Sequence, residues 1–162
     1  MGDAGPGGGI IFYDAGSIQS WGRYLEVACV SWQNNCVGTT ADPQALWGCY
    51  GTDISGAAGT AIGTGKQNTT DIVNGCVTSD ITAAELAAGY SHNTLDDWFL
   101  PSEDELNQMY EERNKIGGFF SEVYWSSFES SDYNSWYQGF GDGGQYDDSK
   151  SYPHYVRPIR AF

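Results

Sequence analysis

The sequence predicts an α+β domain, and three observations carry that reading. Strand-like segments lie at both ends of the chain, and helical signals are confined to its middle. The apolar material is unusually aromatic, with 6 Trp, 11 Tyr and 7 Phe in 162 residues, enough to fill a core and to exclude disorder. Gly is abundant at 22 residues, and charged residues make up only 17%. This points to two or three helices, short antiparallel sheets and long irregular loops in one domain spanning residues 1–162.

The elements follow in order. Gly9-Ile10-Ile11-Phe12-Tyr13 and Arg23-Tyr24-Leu25-Glu26-Val27-Ala28 are strands bounded by Gly-containing turns. Residues 31–66 show no period and are expected to be mostly irregular, pinned to the core by Trp32, Trp47 and Tyr50. Asn68-Thr69-Thr70-Asp71-Ile72-Val73 has the form of a capped first helical turn. Thr82-Ala83-Ala84-Glu85 is a capping box leading into Leu86-Ala87-Ala88, with Gly89 as the stop. A longer helix is predicted from Glu103 to about Lys115, capped by Ser102 with Glu105 three residues on and ended by Gly117-Gly118. Leu106, Met109, Tyr110 and Arg113 recur on one of its faces.

Beyond Gly118 the predicted strands are Tyr124–Ser127, Trp136–Phe140 and Tyr155–Phe162, the last interrupted by Pro158 as an edge or bulge. Gly141 to His154 shows no periodicity and is expected to be a long loop of the kind that carries function.

The formal charge of −14 disfavours nucleic acid and anionic membrane surfaces as partners. No apolar stretch is long enough to span a bilayer, so membrane insertion is not expected. No basic start followed by an apolar run marks a signal peptide. A strand follows Met1 almost at once, as expected of a fragment of a longer protein, which would leave the compartment open at this end. The four cysteines, Cys29, Cys36, Cys49 and Cys76, contain no CxxC, and both histidines lie far away, so no zinc site is expected. They read either as Cys29–Cys36 and Cys49–Cys76 bridges or as four reduced, buried thiols.

Two series of residues then stand together. The first is Gly8–Tyr13, Gly22–Ala28 and Thr60–Thr69. The second is Asp97-Trp98-Phe99-Leu100-Pro101-Ser102 with Glu105-Leu106 and Met109-Tyr110, then Tyr124-Trp125-Ser126-Ser127, Trp136-Tyr137-Gln138 with Phe140, and Tyr155-Val156-Arg157-Pro158-Ile159-Arg160-Ala161-Phe162. Across nearly the whole chain this pattern resembles the C-terminal domain of the Lcl collagen-like adhesin, in a family related to the C-type-lectin-like fold shared with formylglycine-generating enzymes. The resemblance implies a C-type-lectin-like fold.

A subset of that family consists of variable proteins of diversity-generating retroelements, in which template adenines are randomised and AAC codons become NNC. Such codons never encode Lys, Gln, Glu, Met or Trp. The resemblance places the variable window at about Ser130 to Tyr155. There the excluded types are Trp136, Gln138, Gln145 and Lys150, all at positions that look constant in the family. The resemblance also implies a virion or cell-surface location, no cofactor, and a protein or glycan ligand on another cell or particle.

The window's composition points the same way. Tyrosines supply rigid amphipathic contact area, and Ser, Gly and Asp supply adaptable polar groups, the palette of antibody paratopes. Alternation along a strand sends Ser135, Tyr137 and Gly139 to one face and Trp136, Gln138 and Phe140 to the other. Trp136 and Phe140 are expected to anchor the core. Tyr133, Tyr137, Asp142, Tyr146, Asp147, Asp148, Tyr152 and His154 are expected to form one exposed, acidic, ligand-binding patch.

Other functions find less in the residues. GxSxG, HExxH and P-loop signatures are absent and no Rossmann strand–GxGxxG–helix unit is read, so no enzymatic activity is expected. The cysteine-based active site of formylglycine-generating enzymes lies near their C-terminal end, whereas all four cysteines here precede residue 77. The EPN, QPD and WND motifs of calcium-dependent sugar-binding lectins are missing, although Asp142, Asp147 and Asp148 offer oxygen ligands for a hard cation. A non-variable adhesin domain is the remaining alternative.

Overall fold

The computed structural model describes residues 1–32, 36, 38 and 40–162. Strands β1 (Ile10–Gln19) and β2 (Gly22–Val27) form an antiparallel hairpin. The final strand, β8 (Ile159–Ala161), pairs with β2 to complete a three-stranded sheet, so Leu25 faces Ala161 and the two ends of the chain meet. The second sheet has five strands. These are β3 (Gln44–Leu46), β4 (Val123–Glu129), β5 (Asn134–Gly139), β6 (Gln145–Ser149) and β7 (Pro153–Tyr155), in the order β3-β7-β4-β5-β6. Its pairings are antiparallel except that between β4 and β7. The helices α1 (Gly65–Gly75), α2 (Ala83–Ala88), α3 (Glu103–Glu111) and α4 (Arg113–Ile116) all lie between the two runs of strands in sequence. The architecture is α+β, and among the described residues no helix is long and apolar enough to cross a membrane.

The five-stranded sheet is covered on both faces. Successive residues of a strand point to opposite sides, and on β4 this puts Trp125 and Tyr124 into different cores. Trp125 packs with Trp47, Ile54, Ile72, Ala84, Leu100 and Val156 under α1 and α2. Tyr124 packs with Phe12, Leu25, Leu106, Met109, Phe140 and Ile159 between α3 and the smaller sheet. Each buried indole of the first core finds a carbonyl: Trp47 Nε1 donates to Ser126 O (3.0 Å) and Trp125 Nε1 to Ala45 O (3.1 Å).

Three of the seven basic residues are buried, and each is paired. Arg157 donates to Asp42 and to the carbonyls of Gly117 and Gly118, and Tyr124 Oη donates to the same Asp42 carboxylate (3.0 Å). Arg160 bridges Glu26 and Asp97. Lys150 pairs with Glu129, donates to Thr52 O (2.9 Å), and lies over the Trp47 ring. Burying a charge is tolerable only when it is paired and hydrogen-bonded. These ties fix the last third of the chain against its first half.

Some expectations hold and others need correction. The Asn68 turn lies inside α1, which begins at Gly65 after an N-cap residue, Thr64, that makes no side-chain capping bond. Asn68 instead ties the Gly59 backbone and Ser127. The Ser102/Glu105 and Thr82/Glu85 capping boxes both form. The helix expected over 103–115 divides at Glu112, where Arg113 turns back to the Tyr110 carbonyl (2.8 Å) and stacks on the Tyr110 ring. The segment 31–66 contains β3 and the start of α1, and Tyr50 is exposed rather than pinned. The predicted final strand is two: β7 and β8 belong to different sheets, and Val156-Arg157-Pro158 crosses between them. The cysteines are bridged, Cys29 to Cys36 and Cys49 to Cys76. Gln33, Asn34 and Asn35 of the short first loop lie outside the described residues.

Candidate functional site

The window from Ser130 to Tyr155 is built on the β5–β6 hairpin. Five residue pairs hold the ladder in one register, from Asn134↔Ser149 through Tyr137↔Tyr146 to Gln138↔Gln145. The expected loop over Gly141–His154 is therefore corrected: half of it is β6 and β7. The turn joining β5 to β6 packs on α3. Gly143 takes a φ of +80°, and a side chain there would run into the Tyr110 ring at 2.5 Å, so glycine serves both the turn and the approach.

Directly opposed residues of an antiparallel pair share a face. One face of the hairpin therefore carries Tyr137, Tyr146 and Asp148, with the Tyr137 and Tyr146 rings 6.2 Å apart. Asp142 joins them: its Oδ1 accepts the Gly144 N–H (3.0 Å) and sits over Gly139, a position on the Tyr137 side. Tyr146 is 60% exposed and Asp142 is exposed. Tyr137 is half-buried, its ring 5.3 Å from His154 and 6.4 Å from Trp125. Burial, reinforced by the negative fields of Asp148, Asp142 and Asp147 and by Tyr146, pushes its hydroxyl above the usual tyrosine range.

Four placements differ from expectation. His154 is buried, only 9% exposed, its ring centroid 4.2 Å from that of Trp125 at a tilt, and it is bonded through Nε2 to Asp148 (3.0 Å). It is the floor of this face rather than part of its surface. Burial pulls its pKa below the usual value, against the opposing pull of Asp148. Asp147 pairs with Trp136 on the other face, where Ser130 Oγ and Asn134 Nδ2 donate to it (3.2 and 3.1 Å). Trp136 is half-buried against Phe128 and belongs to neither core, so the expected anchor role falls to Phe140 and Gln138. Ser135, expected to point outward, is fully buried, because its face is covered by core at that end of the strand; its Oγ donates to Phe128 O (2.6 Å).

Tyr133 and Tyr152 are 50% and 56% exposed and lie in the turns before β5 and after β6. Tyr133 stands at the opposite end of the hairpin from Asp142, about 20 Å away for a six-residue strand at ~3.3 Å per residue. Its ring packs edge-on against Tyr50 (5.1 Å), a contact the sequence reading missed. The available signal was an aromatic between Cys49 and Gly51, a poor candidate for burial beside a bridged cysteine in a turn. The expected single patch is thus an Asp142–Tyr137–Tyr146–Asp148 face and a separate Tyr50–Tyr133 pair. Asp147 and Asp148 point to opposite faces and do not converge on one cation. Among the described residues no group of three His, Cys, Asp or Glu side chains takes a metal-holding arrangement.

No protein-family model matches the chain. No curated protein matches it either.

Proposed function

We propose that this chain is a non-catalytic display protein of C-type-lectin-like fold, the diversified target of a retroelement, and that its β5–β6 hairpin recognises a protein or glycan ligand on another cell or particle. The proposal places it on a virion or cell surface. The observation that carries it is the division of labour within one short window. Tyr133, Tyr146 and Tyr152 are each half-exposed or more, while Gln138 and Lys150 are fully buried and hold the window in place.

Two of the four residues that randomised NNC codons exclude follow that division, while Trp136 and Gln145 are half-buried. Gln138 and Lys150 are residue types such codons cannot produce. Gln138 Nε2 donates to Asn107 on α3 (3.0 Å), and Lys150 neutralises the buried Glu129. Changing Lys150 would leave the buried Glu129 carboxylate without its cation, and changing Gln138 would remove the tie to α3. The exposed tyrosines and Asp142 bear no such load, so their positions tolerate exchange.

The deciding observation is genomic. A second, near-identical copy of the coding sequence for Ser130 to Tyr155 should lie beside a reverse transcriptase gene, differing only where the template has adenine. Differences scattered over all four bases, or a genome without such a copy, would leave a non-variable adhesin domain in its place.

A further inference from the structure

Strand β6 is the outer strand of the five-stranded sheet, with β5 on one side and no described strand on the other. The ladder register settles which backbone groups face that open side. Gly139 N–H donates to Gly144 O (2.8 Å) and Lys150 N–H to Tyr133 O (3.0 Å). Bonded pairs recur at every second residue of an antiparallel ladder. Tyr137/Tyr146 and Ser135/Asp148 are then the bonded pairs between those two, and Gln145, Asp147 and Ser149 turn their N–H and C=O outward. Ser149 spends both locally: its N–H donates to Asp148 Oδ1 (2.8 Å) and its carbonyl accepts from Tyr152 N–H (3.0 Å). Among the described residues nothing pairs with the outward donors and acceptors of Gln145 and Asp147, which lie one strand repeat apart, where an added strand would pair.

The charge around this edge is of one sign. Asp148 and Asp142 flank it on one face and Asp147 on the other. The nearest cation in sequence, Lys150, is buried against Glu129 and offers no compensation. A second copy of the chain docked edge to edge would bring Asp147 and Asp148 against their own duplicates, the arrangement by which proteins keep edges from self-pairing. An extended segment carrying lysines or arginines meets the opposite situation.

We propose that the open edge of β6 receives an extended, basic segment of the protein ligand by strand addition. Main-chain pairing at Gln145 and Asp147 would supply register, and the three carboxylates would supply charge selection. This deepens the reading of the hairpin as a ligand-binding surface and rests on it.

The probe is an acetylated, amidated hexapeptide of alternating lysine and valine. It should slow amide hydrogen exchange at Gln145 and Asp147 by at least about tenfold, with binding that weakens as salt is added. The same peptide N-methylated at alternate backbone nitrogens keeps its charge but loses its donors, and should bind at least about tenfold more weakly. Gln145→Pro removes an outward N–H at the first residue of an edge strand, a position proline tolerates, and should give the same loss. Equal binding of the two peptides, or unchanged exchange at Gln145 and Asp147, would overturn strand addition even if that variant fails to fold. A glutamate–valine peptide binding as well as the lysine one would overturn the charge selection. Edge-to-edge self-association protecting the same amides would assign the edge to a second copy. None of these outcomes bears on the retroelement reading, which is decided on DNA.

Discussion

Tyr146 and Lys150 stand four residues apart in one short segment, yet they belong to different parts of the molecule. Tyr146 is 60% exposed and shares its face with carboxylates and one other ring. Lys150 is fully buried, held by Glu129, Thr52 and Trp47. The difference shows how a hairpin can be held and left changeable at once. The fixed positions are those whose polar groups have no water to fall back on. The changeable ones are those whose side chains end in solvent. Each side of that contrast predicts a different response to substitution.

The largest response belongs to the buried pair. Lys150→Ala leaves the Glu129 carboxylate buried with only the Ile54 N–H bonded to it (2.8 and 3.1 Å), and is expected to cost about 3–5 kcal/mol. Chemical denaturation of the purified variant reads this directly. A loss below about 1 kcal/mol, the range of exposed ion pairs, would place Lys150 with the changeable positions.

Glu105, which closes the α3 capping box, responds to pH instead. Burial raises its carboxyl to about 7 from the usual 4.5, outweighing the N–H bonds from Ser102 (2.7 Å) and Gly63 (2.8 Å). A group with a raised folded pKa adds stability that is fully present below its unfolded value and lost as pH climbs through the folded one. The expected contribution is about 3 kcal/mol, disappearing between roughly pH 4.5 and 7. Melting curves across that interval should slope downward with pH for the native chain and lose that slope in Glu105→Gln. His154 runs the other way: its lowered pKa favours the folded state above about 6.5, and that advantage is lost on acidification. A His154 titration midpoint at or above the free value, read by NMR, would contradict its burial.

How much of this was legible in the sequence depended on how local the signal was. Both capping boxes were readable because Ser102 with Glu105 and Thr82 with Glu85 satisfy one another within a single turn. The alternation along β5 was readable too, and Gln138 and Phe140 do face inward. What alternation could not supply was the extent of cover on each face. Core lies on both sides of the five-stranded sheet, so Ser135 is buried on the face expected to be open while Trp136 is only half-buried on the other. Strand β6 escaped notice because Gln145-Tyr146-Asp147-Asp148-Ser149 has little apolar content to alternate; its pairing partner, not its composition, makes it a strand. The break between β7 and β8 was hidden for a related reason. Val156-Arg157-Pro158 looks like strand until Arg157 is seen to leave the sheet for Asp42, more than a hundred residues earlier in the chain.

The smallest effects divide the two tyrosines of the hairpin face. Tyr137 covers Trp125 and His154, so Tyr137→Ala should cost about 2 kcal/mol through lost apolar burial. Tyr146 touches little beyond Tyr137, and Tyr146→Ala should stay within about 0.5 kcal/mol of the native chain. Binding should show the reverse asymmetry in its clearest form: Tyr146→Ala weakens capture of the ligand with the melting temperature unmoved. Tyr137→Ala should lower both if the proposed function holds, because it would remove a proposed contact ring and unseat the His154 floor beneath it. Equal stability losses for the two single variants would mean that Tyr146 is part of the frame, and the contrast between Tyr146 and Lys150 would then lose its exposed half.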